Sequence, residues 1–265
     1  MNILLIYRAK EFSPNLVNND TAILDKVGHY LQEAGCNISF IHEEEFSAVE
    51  YDVDVVMSMC RRTESLNLLT KMEEKGILVV NSPQSVLNCS RDKMYHILCA
   101  ADIPVANEYD DEYRFPLWFK NRQGWSKSKD DVVFISNATE LKRVISSSKG
   151  KPYMLFEHLE GDLIKFYGVE DSNFFFWMYA SENHSKYNLE QHNGAPHHYP
   201  FLEEQLHHIC SDAAKAMGLT AYGGDCIIDS NGMIKIIDFN DWPSFSKCRE
   251  NASKAIAATV LKRKK

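Results

Sequence analysis

The apolar residues of the first eighty positions fall into short continuous runs separated by segments of helical period. "NILLIY" (2–7), "NISFI" (37–41), "VDVVMSM" (53–59) and "ILVVN" (77–81) read as strands, the first of them covered on both faces. Between them lie "NDTAILDKVGHYLQEAG" (19–35) and "LNLLTKMEEKG" (66–76). In the first of these, Ala22, Ile23, Val27 and Leu31 recur at helical spacing, Asp20 is placed to cap the start, and Gly35 marks the stop. Strand–helix alternation predicts an open parallel α/β sheet with right-handed crossovers, occupying about residues 1–85.

The pattern then changes. "SRDKMYHILCAADIPV" (90–105) opens with Ser90 as an N-cap, carries apolar residues at 94, 97 and 98, and leaves through an extended "IPV". "FPLWFK" (115–120) and "VVFI" (132–135) read as strands around the polar loop "NRQGWSKSKDD" (121–131), followed by a helix over 137–150 capped by Asn137. "KPYMLFEHLEGD" (151–162) is a strand and a turn. "LIKFYGV" (163–169) and "NFFFWMYAS" (173–181) form a hairpin around Glu170 to Ser172, and "FLEEQLHHICSDAAKAMG" (201–218) is an amphipathic helix. A last helix covers about 246–263. The second half is therefore α+β: a small lobe over about 113–160, then a larger sheet with helices over about 161–265.

The most informative stretch is "GGDCIIDSNGMIKIIDFNDWPSF" (223–245). Asn231-Gly232 is a hairpin signal, because both central residues of a type I′ turn need positive φ. With a two-residue loop, Ser230 faces Met233, and Asp225 then lies opposite Asp238, with Asn240 two residues further on the same face. A three-residue loop with a bulge is the other geometry that this sequence allows. Opposed carboxylates destabilise a sheet unless a cation lies between them. Two carboxylates and a carboxamide are hard oxygen donors of the kind Mg²⁺ takes, with substrate phosphates completing its shell.

Composition narrows the choices. With 45% hydrophobic and 25% charged residues the chain is an ordinary globular protein, and its formal charge of −8 argues against non-specific nucleic-acid binding. No run of 18 apolar residues suggests a membrane span, and "MNILLIYRAKEF" reads as a first strand rather than a signal peptide. Seven scattered cysteines without a CxxC fit reduced thiols in a cytoplasm. The ten histidines show no zinc spacing. A GxGxxG after the first strand and a GxxxxGK[ST] are both absent, so the first lobe is neither a dinucleotide site nor a P-loop. Ligands of such sheets bind beyond the carboxyl ends of the strands. There, in "CRRTES" (60–65), Arg61 and Arg62 are candidates to clamp an anionic substrate.

The order of these features resembles the ATP-grasp superfamily over most of the chain. "VVNSPQSVLNCSRDKMYHILCAADIPVANEY" is similar to the family's Asn-Ser-Pro turn, Asp-Lys helix and exit strand. "FPLWFK" resembles its lysine-bearing strand, "YMLFEHLEGDLIKFYGV" its hinge, and "DFNDWP" its Asp/Glu-x-Asn-x-x-Pro metal motif. The resemblance implies an N-terminal pre-ATP-grasp α/β lobe (1–85) followed by a two-lobed α+β ATP-grasp domain (86–265).

It also implies ATP with one or two Mg²⁺ ions, Mn²⁺ being a substitute, and Asp225, Asp238 and Asn240 as the metal ligands. Lys93 and Lys120 would contact phosphates, Glu157, His158 and Leu159 would form the adenine hinge, and Glu160 or Asp162 would take the ribose. Lys165, Lys186 and Asn188 would stand near the transferred phosphate. The glycine-poor loop 121–131 is expected to close as a lid. The expected activity is an ADP-forming ligation of a small-molecule carboxylate to an amine, in the cytoplasm, with no nucleic-acid or membrane partner. An alcohol kinase of the inositol-phosphate type, a non-catalytic nucleotide-binding protein, and a homodimeric state remain open alternatives.

Overall fold

The computed structural model describes residues 1–12, 17–110, 112–122, 129–180 and 192–264. These described residues form three four-stranded sheets. The first holds β1 (Asn2–Tyr7), β2 (Asn37–His42), β3 (Val55–Ser58) and β4 (Leu78–Val80), in the order β2-β1-β3-β4 and parallel throughout. The helices α1 (Val17–Glu33) and α2 (Thr63–Glu74) connect its strands. All four residues of β3 are buried, as its continuous apolar run predicts. Asp20 lies inside the first turn of α1 rather than capping it, and its carboxylate accepts from Arg8 Nη1 at 3.2 Å. Gly35 ends the helix as expected, in the left-handed region at φ 85°.

The helices α3 (Pro83–Asn88) and α4 (Arg91–Ala100) lead out of this sheet. The sequence signal for α3 is Ser82, whose hydroxyl accepts from Ser85 N at 3.1 Å, followed by Pro83 at the first helical position. The second sheet runs β5 (Glu108–Tyr109), β8 (Tyr153–Glu157), β6 (Leu117–Asn121), β7 (Val132–Ile135), all pairs antiparallel. The helix α5 (Ala138–Ser147) packs Leu141 and Val144 on it, and Asn137 caps that helix by accepting from Glu140 N at 3.0 Å. The third sheet is β10 (Phe175–Tyr179), β9 (Asp162–Val169), β11 (Ala221–Ile228), β12 (Ile234–Asp241), also antiparallel. Under it lies α6 (Glu203–Met217), burying Leu206, Cys210, Ala213, Ala214 and Met217 at helical spacing.

The last helix, α7 (Arg249–Arg263), packs on α1. Its Ile256 and Val260, with Trp242 and Phe245, share one core with Ile3, Leu5 and Leu31 of the first lobe. First and third sheets are therefore continuous in packing. Asn81, just after β4, bridges them: Nδ2 donates to Ala221 O at 2.8 Å, and Oδ1 accepts from Thr220 N at 2.7 Å and Ala221 N at 3.0 Å. Asn81→Ala leaves three buried backbone groups without these partners, a loss of about 2–4 kcal/mol. Urea unfolding should read that drop; a change below about 1 kcal/mol would show that the bridge contributes little.

Candidate functional site

The site is built on the β11–β12 hairpin, and its register arises differently from the simplest sequence expectation. The turn is a three-residue loop, Ser230 to Gly232, closed by Asp229 N donating to Met233 O and by Gly232 N donating to Asp229 O. Gly232 supplies the positive φ, at 78°. The carboxylate of Asp229 accepts from the amides of Asn231 and Met233, at 2.8 and 2.9 Å. This loop alone would set Ile237 opposite Asp225. A β-bulge between Asp225 and Cys226 makes Ile237 the extra residue, so that Asp225 again faces Asp238 and Gly223 faces Asn240.

Lys165 of β9 lies opposite Asp225 on the other side, and one cross-strand row runs Met178, Lys165, Asp225, Asp238. Lys165 Nζ donates to Asp225 Oδ1 at 3.0 Å, and Asn240 Nδ2 to Asp238 Oδ2 at 2.7 Å. The Asp225 charge, outweighing the cost of burial, holds the Lys165 ammonium well above its usual pKa. Beside this row the floor is flat: a Cβ on Gly223 would fall 2.8 Å from Phe166 O and 2.9 Å from Pro243 Cγ.

The second sheet covers the row from above. Lys120, near the end of β6, donates to Ile237 O at 3.1 Å and lies 5.0 Å from the centroid of the Phe156 ring. Ile237 is the bulged residue, whose carbonyl has left the regular ladder. Burial pushes Lys120 down to about 8, helped by the charge of Arg91 and opposed by Asp238 and Asp225. The folded protein thus binds this proton less tightly than the unfolded chain. Stability gains from Lys120 as pH rises from about 8 towards the ordinary lysine value of about 10.4, because the unfolded state holds more protons in that window. Comparing wild type with Lys120→Met across that window should show the wild type gaining melting temperature relative to the variant; parallel curves would refute the buried, protonated lysine.

Lys93 is exposed on α4. The cation that α4 directs inward is Arg91, whose Nη1 donates to Asn121 O at 2.5 Å. Burial lowers the pKa of Arg91, with the Asp238 charge raising it. Residues two apart on a helix point about 200° away from each other, so only one of the pair faces the cleft.

The hinge follows β8. Glu157 Oε1 accepts from Lys235 Nζ at 2.7 Å and from the backbone and side-chain nitrogens of Asn107, both at 2.9 Å. His158 Nδ1 accepts from the Trp118 indole at 3.2 Å, and burial lowers its pKa, as a neutral acceptor ring requires. Leu159 packs with Met154, Phe156, Ala106 and Ile237 in a small apolar cluster between the lobes. Glu160 is exposed. Asp162 is buried, and its carboxylate accepts from the amides of His197 at 2.5 Å and Tyr199 at 2.7 Å. Its oxygens are already engaged where the expectation left it as an alternative ribose ligand. Lys186 and Asn188 lie outside the described residues, as does most of the loop 121–131.

Arg61 and Arg62 are drawn into the protein's own carboxylates. Arg61 Nη2 meets Asp241 Oδ1 at 2.6 Å, with side-chain exposures of 9% and 0%. Arg62 makes a forked contact with Glu11, at 3.0 and 2.9 Å. Beside them the buried Glu43 accepts from Ala9 N at 3.1 Å, Arg61 N at 2.8 Å and Arg62 N at 2.7 Å. The chain's own Glu43 therefore fills the nest of amides that an anionic ligand would occupy at these strand ends.

Among the described residues no group of three or more His, Cys, Asp or Glu side chains could hold a metal ion. Asp225, Asp238 and Asn240 nevertheless fit Mg²⁺: they present oxygen donors on one face, too few for a closed protein cage, as suits an ion shared with phosphates.

A parallel α/β lobe, a small antiparallel sheet with one helix, and a larger antiparallel sheet whose last two strands form a hairpin together give an ATP-grasp fold. Solved structures bear this out over the full length. The chain is similar to the D-alanine–D-alanine ligase of Coxiella burnetii, at 14% identity and a TM-score of 0.70, covering 100% of this chain and 96% of that one. It is similar to the RimK domain ATP-grasp protein of Sphaerobacter thermophilus, at 14% identity and 0.69, covering 98% and 100%. It is also similar to the VanG D-Ala:D-Ser ligase of Enterococcus faecalis, at 11% identity and 0.70, covering 100% and 99%. No protein-family model matches the chain, and no curated protein sequence does. The chain has the ATP-grasp fold.

Proposed function

We propose that the chain is an ATP- and Mg²⁺-dependent ligase that activates a small-molecule carboxylate as an acyl phosphate for attack by an amine. One observation carries this reading. Arg91 of α4, Lys120 of β6 and Lys165 of β9, from three separate parts of the chain, converge on the face that bears Asp225 and Asp238. Cations gathered around hard oxygen donors suit a metal-bound polyphosphate and little else. The structural neighbours named as ligases support the same direction at the level of fold.

In this reading the apolar cluster of Met154, Phe156, Leu159 and Ile237 receives the adenine, and Glu160 takes the ribose hydroxyls. Arg91 and Lys120 bind the phosphate chain, and Lys165 steadies the transferred group. Bound Mg²⁺, held by Asp225, Asp238 and Asn240, would neutralise phosphate charge and fix its orientation. A substrate carboxylate oxygen attacks the γ-phosphorus and ADP leaves; the amine nitrogen then attacks the acyl carbon, loses a proton, and inorganic phosphate leaves. The protein's contribution is positioning and charge neutralisation. Because Arg61 and Arg62 already face Asp241 and Glu11, a densely charged acceptor such as a polyphosphorylated ring has few cations left to meet, which disfavours the kinase alternative. The seven free cysteines suit a reducing, cytoplasmic setting. Among the described residues no helix is long and apolar enough to cross a membrane.

The test is ATP turnover against a panel of carboxylates and amines. Release of ADP and phosphate that needs both substrates supports the proposal. A stable phosphorylated alcohol would replace it with the kinase, and nucleotide binding without turnover would reduce it to a binding protein.

A further inference from the structure

We infer that the hydroxyl of Tyr167 binds the carboxyl group of the acceptor, donating to the oxygen that does not attack phosphorus. The inference rests on the ligase reading for the direction of the reaction, and it adds a residue on the acceptor side of the site.

The place follows from register. β9 leaves the hinge at Asp162 and carries first Lys165 and then Tyr167 on one face, about 7 Å further along. Tyr167 pairs with Phe176 on one side and with Gly223 on the other, and Gly223 pairs with Asn240. A second cross-strand row, Phe176, Tyr167, Gly223, Asn240, thus lies beside the row that holds Lys165, Asp225 and Asp238. One row beyond it, Val169 and Ala221 are buried in the core shared with the first lobe. Tyr167 is therefore the end wall of the cleft. A nucleotide that enters from the hinge and sets its transferred phosphate at Lys165 and Asp225 has its leaving group on the hinge side. In-line attack then comes from the side of Tyr167.

The side chain suits the task. Tyr167 is 9% exposed, with its ring 6.2 Å from that of Phe176 and 5.7 Å from that of Phe245. The ring leans over the bare Gly223, where a Cβ would meet Tyr167 Cδ1 at 3.1 Å. Among the described residues the hydroxyl makes no hydrogen bond, and it is not one of the fully buried polar atoms that lack a partner. It is thus the part of the side chain that reaches the open cleft, where Lys165 and Asp225 bear on it. Burial pushes the phenol up to about 12, so at neutral pH it is an uncharged donor. The arginines at this end, Arg8 and Arg61, face Asp20 and Asp241. Beside the Lys165 ammonium, the protein therefore holds out to an incoming carboxylate a neutral hydroxyl. The oxygen it meets is also the one onto which the carbonyl electron pair moves when the amine attacks the acyl carbon, so the contact tightens in that step.

The experiment runs the first step backwards on the full chain. Acetyl phosphate and Mg-ADP give acetate and ATP, the phosphoryl group passing from the acetate oxygen to the β-phosphate of ADP, and the ATP is read with luciferase. Acetyl phosphate is the smallest acyl phosphate and fits any pocket made for a larger one. Tyr167→Phe should raise the KM for acetyl phosphate about tenfold and leave that for Mg-ADP within about twofold. The ring and its packing are kept, so the melting temperature should match that of the wild type. Replacing Tyr167 by 4-aminophenylalanine, which restores a donor at the far end of the ring, should recover most of the loss. An unchanged KM for acetyl phosphate in Tyr167→Phe would overturn this inference while leaving the ligase reading standing. An equal rise in both KM values, or no recovery with the amino variant, would overturn it in the same way. No ATP from the wild type would remove the ligase reading and this inference together.

Discussion

Asp238→Ala should lower ATP turnover by roughly a thousandfold or more while leaving the protein folded. Asp238 sits at the centre of the site, facing Asp225 across the hairpin and accepting from Asn240. Removing it takes away a carboxylate that would bind the metal. It also removes the partner that holds the Asn240 carboxamide. The backbone ladder does not depend on this side chain, and relief of the Asp225–Asp238 repulsion offsets part of the compensation that Arg91 and Lys120 lose. Steady-state ADP release, read beside the melting temperature, checks both halves. Normal turnover in folded Asp238→Ala would end the reading of this face as the reaction centre.

Arg61→Ala should act in the opposite way, costing stability before it costs chemistry. The Asp241 carboxylate is fully buried, and Arg61 is its closest cation. Burial lowers the pKa of that guanidinium, while Asp241 is the leading influence keeping it charged. Breaking such a pair from one side leaves an uncompensated buried charge, and the loss is about 3–5 kcal/mol. Arg8 Nη2, 3.8 Å from the other Asp241 oxygen, takes up part of it. Denaturant unfolding should therefore show a markedly lower midpoint. A stability change below about 1 kcal/mol, with a raised acceptor KM, would return Arg61 to the substrate site.

These two residues mark what the sequence could and could not tell. Strands and helices were readable from period alone, because continuous apolar runs and helical spacing follow from burial on two faces or one. The pairing of Asp225 with Asp238 was also readable, although by a route in which two local features offset each other. A three-residue loop shifts the count by one, and the bulge at Ile237 shifts it back. Arg91 could not be separated from Lys93, since both open the same helix and only the packing of α4 decides which side faces inward. Nor could the fate of Arg61 be read. Its partner Asp241 lies 180 positions away, next to Asn240, and nothing local links the two. Asp162 and Glu160 differed only in what the later segment around His197 does with its amides.

The bulge at Ile237 has a mechanical side. An extra residue in a ladder frees one carbonyl from its neighbour strand, and here Lys120, reaching across from the second sheet, donates to that oxygen. The irregularity that aligns the two carboxylates is thus also the peg on which the second sheet rests. Deleting Ile237 would leave Asp225 and Asp238 face to face in an unbroken ladder and would take the peg away. The hairpin could thus keep its carboxylate register without the bulge, but only by giving up the oxygen that Lys120 holds.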